Sequence, residues 1–260
     1  MKRPSPGTVL ITGAGRRIGR AIALAMAEDG WRIGIHYRRS RQDAEELAAA
    51  IKADGGKAVA LPADLGNLTE VKALIPLCCE AIGAPCCLIN NASEFQPDTL
   101  ASTTPESWHL HLDINLKAPV FLAQALAEAL PAGVDGNVIN IIDQRVWKPS
   151  PDFFSYTVSK AGLWAATRTL AQALAPRIRV NAIGPGPILQ SIHQTDADFA
   201  QEIQDTLLRR GPSAEEIAAA VRFILAAPAM TGQMIALDAG QHLAWRGDRQ
   251  NAPAGEPGES

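Results

Sequence analysis

The sequence predicts an α/β fold, a doubly wound parallel sheet of seven strands with helices on both faces. Seven apolar segments of strand length alternate with longer segments of helical period, the pattern of βαβ crossovers. Several strand segments, such as 9–11 and 138–142, are continuous runs of apolar, mostly branched residues, as burial on both faces requires. A length of 260 residues with 47% hydrophobic residues suits one such domain.

The expected strands are 8–12, 32–36, 58–61, 87–90, 137–142, 179–183 and 234–237. The expected helices are 17–28, 42–53, 68–81, 105–130, 155–174 and 214–225, with no internal repeat or linker between them. Residues 1–246 are therefore read as a single domain. Residues 247–260, rich in Pro, Gly and charge, cannot bury enough surface to order themselves and are expected to be disordered. The polar stretch 190–198, after a Pro/Gly cluster, is either a mobile lid over a pocket or a surface loop.

A net charge of −3 gives no electrostatic footprint for nucleic acid or an anionic membrane. No apolar run is long enough to span a bilayer, and the charged start MKRPSPGT lacks a following apolar segment, so a cytoplasmic location is expected. Cys78, Cys79, Cys86 and Cys87 form two adjacent pairs rather than a Cys-x-x-Cys arrangement. They read as reduced thiols, and no metal site is expected. His109, His111 and His193 show no evident carboxylate partner and are given no function.

Chemistry is concentrated at the carboxyl ends of the expected strands. Thr12-Gly13-Ala14-Gly15-Arg16-Arg17-Ile18-Gly19 joins the first strand directly to a helix, where glycines let the backbone approach a pyrophosphate favoured by the helix N-terminus. The second strand ends in His36-Tyr37-Arg38-Arg39-Ser40, where a cofactor lacking the ribose phosphate usually meets Asp or Glu. Two guanidiniums and a hydroxyl suit a 2′-phosphate, with Arg16 and Arg17 adding charge, so NADPH is the expected cofactor. Asp64 and Leu65 follow the third strand, with the carboxylate placed to accept from an adenine amine. Asn91, Ala92 and Ser93 follow the fourth.

Tyr156 and Lys160, at i and i+4, share one helical face. An unperturbed phenol is a poor acid or base at neutral pH, and a nearby cation stabilises the phenolate and lowers its pKa.

From residue 8 to about 243 the chain resembles the short-chain dehydrogenase/reductase family, which has the Rossmann fold. The resemblance rests on the 12–19 loop, Asp64, Asn90 to Ala92, Asn115, Tyr156, Lys160, Asn181 and Pro185-Gly186. It implies that Tyr156 is the proton donor and that Lys160 orients the nicotinamide ribose. It also implies that Asn115 holds a proton-relay water, that Pro185, Gly186 and Ile188 border the nicotinamide, and that the protein is a homotetramer.

Two departures are informative: Arg17 replaces a loop glycine, and Asp143 replaces the usual serine. With His36–Ser40 and the Asn91–Phe95 segment, they resemble the pteridine reductase and dihydromonapterin reductase branch. That branch implies Arg17 on cofactor phosphate and pterin, and Ser93 hydrogen-bonded to the ring. Phe95 is placed to stack on a planar substrate or to pack within its loop. Asp143 is placed to deliver a proton beside Tyr156 or to form a turn at the strand end. The expected small-molecule substrate is a dihydropterin or dihydrofolate. The alternatives are a ketone or 3-oxoacyl thioester reductase, and a non-enzymatic NADPH sensor.

Overall fold

The computed structural model describes residues 6–190 and 194–244. The expected tail, 247–260, and His193 lie outside the described residues. Seven strands, β1 (Thr8–Ile11), β2 (Arg32–Tyr37), β3 (Lys57–Pro62), β4 (Pro85–Asn90), β5 (Gly136–Ile141), β6 (Ile178–Pro185) and β7 (Met234–Leu237), form one sheet in the order β3-β2-β1-β4-β5-β6-β7. All six pairings are parallel. The order reverses between β1 and β4, and such a switch point opens a crevice outside the carboxyl ends of the strands.

Alternating side chains along each strand feed two cores. Val9 and Ile11 of β1 pack with α1 (Arg17–Glu28), α2 (Arg41–Ala53) and α8 (Ala214–Ala226), while Leu10 faces α3 (Leu68–Ile82), α5 (Ala118–Ala129) and α6 (Phe154–Leu174). Burying one such aliphatic side chain contributes roughly 1.5–3 kcal/mol. Cys78 and Cys87 are core residues, and burial pushes the Cys78 thiol up to about 12. Cys79 and Cys86 are half-buried. A buried polar chain crosses the second core: Asn90 Nδ2 donates to Asn140 Oδ1 at 2.8 Å, and Asn140 Nδ2 donates to Thr167 Oγ1 at 2.9 Å. Asn181 Nδ2 donates to the Met230 carbonyl and its Oδ1 accepts from Gln233 N–H, tying β6 to the approach to β7.

Two expectations need correction. The helix expected over 105–130 is α4 (Pro105–Leu112), a π-turn over Asp113–Lys117, and then α5. Pro119 has no N–H to give the Asn115 carbonyl, so the i−4 ladder is broken there, and the Ala118 N–H reaches the Asp113 carbonyl instead. The polar stretch 190–198 is not loop throughout: a helix, α7 (Asp196–Gln204), begins within it, started by a reciprocal capping box between Thr195 and Asp198.

Candidate active site

The carboxyl ends of the strands open into a cavity of about 750 Å³. Its first wall is the β1–α1 loop. Gly13 turns at φ +62°, and a Cβ on Gly19 would lie 2.5 Å from the Gly13 carbonyl oxygen. Only glycine permits this close approach, which sets the start of α1 against the strand ends. Asn91 fixes the loop by donating to the Thr12 and Gly13 carbonyls at 2.8 and 3.1 Å.

His36, present in the sequence only as part of a motif, braces the same loop. Its Nδ1 accepts from Gly13 N–H and its Nε2 donates to the Ala63 carbonyl, each at 3.0 Å. Burial holds its pKa down at about 4, which keeps the imidazole neutral in this tautomer.

Arg17 has φ +52°, in the left-handed region that favours glycine, which is why glycine is common there. Its guanidinium donates to the carbonyls of Leu189 and Gln190 at 2.8 and 3.2 Å. Ile18 lines the cavity beside it. At the β2 end, Tyr37, Arg38, Arg39 and Ser40 form the wall. Arg38 donates to Glu94 at 2.6 Å and Arg16 pairs with Asp43 at 2.6 Å. Arg39, with no carboxylate against it among the described residues, and Ser40 are thus the groups best placed for a phosphate. Leu65 lines the cavity, and beside it Asp64 Oδ1 closes a turn by accepting from Gly66 N–H at 2.9 Å.

On the opposite side, α6 presents Tyr156 and Lys160 to the cavity. Asp143, at the end of β5, uses its two oxygens separately. Oδ1 accepts from Arg145 N–H and Oδ2 from the Tyr156 hydroxyl, each at 2.8 Å. The turn-forming and the proton-handling readings of Asp143 are therefore both met, by different atoms. Lys160 Nζ donates to the Ile141 carbonyl at 2.9 Å.

Burial raises the Asp143 carboxyl above its ordinary range, and burial together with the Asp143 charge raises the Tyr156 phenol. Burial brings Lys160 down to about 8, against the opposing pull of Asp143. The expectation that Lys160 lowers the phenol is corrected: burial and the neighbouring carboxylate outweigh a cation that faces a backbone carbonyl. The result is a carboxyl–phenol pair that holds its proton and opens on the cavity.

Phe95 stacks on Phe153, with centroids 4.2 Å apart and planes 9° apart, and meets Tyr156 edge-on at 4.7 Å. The Arg145 guanidinium lies 5.2 Å from the Phe153 centroid. One face of Phe95 is therefore covered by Phe153, a partner the sequence did not indicate, and the aromatic wall is a pair of rings. Ser93 lines the cavity and donates to Asn115 Oδ1 at 3.2 Å.

Asn115 is buried and stays off the cavity wall. Its amide donates to the Glu94 carbonyl and to Ser159 Oγ, and its oxygen accepts from Glu94 N–H. Its side chain thus braces the 93–95 loop.

A second brace escaped the sequence reading. Gln96 N–H donates to His111 Nε2 at 3.1 Å, His111 Nδ1 to Ser155 Oγ at 2.7 Å, and Ser155 Oγ to Asp98 Oδ2 at 2.5 Å. The missing carboxylate partner of His111 is Asp98, reached through a serine.

Pro185, Gly186, Ile188 and Leu189 line the remaining wall with Phe199, Glu202 and Gln241. Trp147 packs against His242, with ring centroids 5.0 Å apart. The arrangement offers an anion-binding loop, a basic turn, a proton-holding pair and an aromatic wall around one cavity.

Comparison with known proteins agrees with this geometry. Residues 13–242 match the family model described as enoyl-(acyl carrier protein) reductase. The 3-oxoacyl-[acyl-carrier-protein] reductase of Synechocystis sp. is 32% identical over 235 residues, 89% of this chain and 95% of that protein. FolM alternative dihydrofolate reductase 1 from Brucella suis, solved in complex with NADP, is 48% identical with a TM-score of 0.90, over 93% of this chain and 97% of that chain. The Brucella canis protein, also with NADP, is 47% identical with a TM-score of 0.88, over 93% and 96% of the two chains. By sequence, sheet order and site, the chain belongs to the short-chain dehydrogenase/reductase family.

Proposed function

We propose that this protein is an NADPH-dependent reductase of a pteridine, of the dihydropterin or dihydrofolate class. The observation that carries the reading is the Asp143 carboxylate bonded to the Tyr156 hydroxyl at 2.8 Å, where the family more commonly has serine. Reducing a C=N bond needs hydride at carbon and a proton at nitrogen, and a buried carboxyl–phenol pair is a proton source suited to the second need. The similarity to the Brucella dihydrofolate reductases supports the same choice.

The cavity fits the cofactor: the Gly13/Gly19 cradle leaves no room for a Cβ at Gly19 and brings the start of α1 close to the cavity. Gly13, Arg16, Arg17, Ile18 and Gly19 would hold the pyrophosphate, and Arg39 and Ser40 the 2′-phosphate. Leu65, Asn91 and Ala92 would hold the adenosine side, and Lys160, Pro185, Gly186 and Ile188 the nicotinamide side. When bound, NADPH supplies the hydride. Tyr156 and Asp143 hold the proton, Ser93 and Arg17 orient the substrate, and Phe95 with Phe153 excludes water from one side. The resemblance extends the proposal to a cytoplasmic homotetramer, for which light scattering gives the assembly size.

The test is NADPH oxidation by the purified protein with dihydrobiopterin, dihydromonapterin, dihydrofolate or an acetoacetyl thioester. Turnover on a dihydropteridine is expected. Turnover on the thioester alone supports the second reading, a 3-oxoacyl reductase, which the Synechocystis relative favours.

A further inference from the structure

Glu202 is an acid on the cavity wall that the chemistry above leaves unused. It stands near the C-terminus of α7, half-buried, with Phe199 one turn before it on the same wall. Both carboxylate oxygens are held by side-chain amides. Gln194 Nε2 donates to Oε2 at 2.7 Å and Gln241 Nε2 donates to Oε1 at 2.9 Å. These groups come from three separate segments, before α7, within it and after β7, and all three line the cavity.

No cation pairs with Glu202 among the described residues, and the guanidiniums of Arg17 and Arg145 on the same cavity point to other partners. Arg17 is on the Leu189 and Gln190 carbonyls, and Arg145 is on Ser150 and the Phe153 ring. Glu202 is therefore a carboxylate on the wall held by two neutral amides rather than by an ion pair.

We propose that Glu202 selects substrates by the charge of their side chain. A neutral side chain bearing hydroxyls can donate to the carboxylate and exchange hydrogen bonds with the two glutamines. A side chain ending in carboxylates is repelled. This inference rests on the pteridine reading and narrows it to dihydropterins with short hydroxylated side chains, ahead of dihydrofolate, whose side chain ends in two carboxylates.

Glu202→Gln removes the charge and keeps the shape, since one glutamine amide need only turn over to restore its hydrogen bond. At saturating NADPH, kcat/KM for dihydrofolate is expected to rise about three- to tenfold through KM, as expected for one like-charge contact in a partly screened site. For dihydrobiopterin the change is expected to stay below about twofold. If both substrates move together, or neither moves, Glu202 only holds α7 in place and the proposal is overturned.

If the wild type reduces acetoacetyl thioesters and neither pteridine, it is the pteridine reading that has failed. The charge comparison then runs between neutral acetoacetyl-N-acetylcysteamine and anionic acetoacetyl-coenzyme A. A selective gain on the coenzyme A ester supports charge selection by Glu202, and a parallel or absent change overturns it.

Discussion

At the scale of single residues, the site turns on which atom holds a proton. Tyr156 donates to Asp143, and both are held toward their protonated forms by burial. Tyr156→Phe removes the phenolic proton while leaving the ring contact with Phe95. Its kcat is expected to fall about 10²- to 10⁴-fold, the usual worth of a positioned proton donor. Cofactor binding, read by NADPH fluorescence, should remain, since a hydroxyl lost from the proton site leaves the basic turn intact.

Spacing placed Tyr156 and Lys160 on one helical face, and the resemblance supplied their roles. The direction of the phenol's shift was not legible, because it depends on burial that only the packed α6 supplies. Phe153 was not legible either: its left-handed backbone at φ +56°, which sets it against Phe95, leaves no mark in residue type.

At the scale of elements, loops at strand ends decide what the cavity accepts. Arg39 and Ser40 face it with less internal compensation than Arg38. A combined Arg39→Ala and Ser40→Ala change is therefore expected to raise KM for NADPH at least about tenfold with little effect on NADH, one lost charge-assisted contact being worth about 1.5–3 kcal/mol.

The 95–98 loop has a pH-dependent anchor. Burial lowers the His111 pKa, so the neutral ring that accepts from Gln96 is the form the fold holds. Burial also pushes Asp98 up, but hydrogen bonds from Ser155 and Thr103 outweigh it and hold the carboxyl below its ordinary value. Both groups have depressed folded values, so their contribution is present at neutral pH and is lost as acid protonates them, below about 6.5 for His111 and about 3.9 for Asp98. Asp98→Ala is expected to cost about 1–3 kcal/mol in urea unfolding at pH 7, with a smaller cost at strongly acid pH where Asp98 is itself protonated. An equal cost at both pH values would exclude this anchor.

The α7 helix could have been found from Thr195-x-x-Asp198, a capping signal hidden in a stretch dominated by polar residues. The break between α4 and α5 was harder to see. Pro119 hints at it, but the contacts of Asn115 within the turn, to Glu94 and Ser159, are remote in sequence.

At the scale of the whole molecule, the order of apolar segments was enough to give seven parallel strands, because continuous branched runs admit few other environments. Their carboxyl ends bring the loop glycines, the basic turn and Tyr156 to one cavity, as a switch point in a doubly wound sheet requires. The braces were hidden because they join distant segments: His36 to Gly13 and Ala63, and Asn181 to Met230 and Gln233. Asn181→Ala removes a buried two-way tie between β6 and the approach to β7. It is expected to lower stability by about 1–3 kcal/mol in chemical unfolding, with no change in cofactor preference.

The most direct test of proton delivery through the Asp143–Tyr156 pair is kcat/KM for dihydrobiopterin from pH 5 to 9, in the wild type and in Asp143→Asn. The Asp143 carboxyl is raised by burial, so it keeps its proton to higher pH than a free acid, and reduction should slow as pH rises through the pair's titration. Asp143→Asn should lose about 10²-fold at neutral pH and lose that limb of the profile. A variant with near wild-type rate and the same pH dependence would contradict proton delivery by Asp143 and leave it as the turn-forming residue of the β5 end.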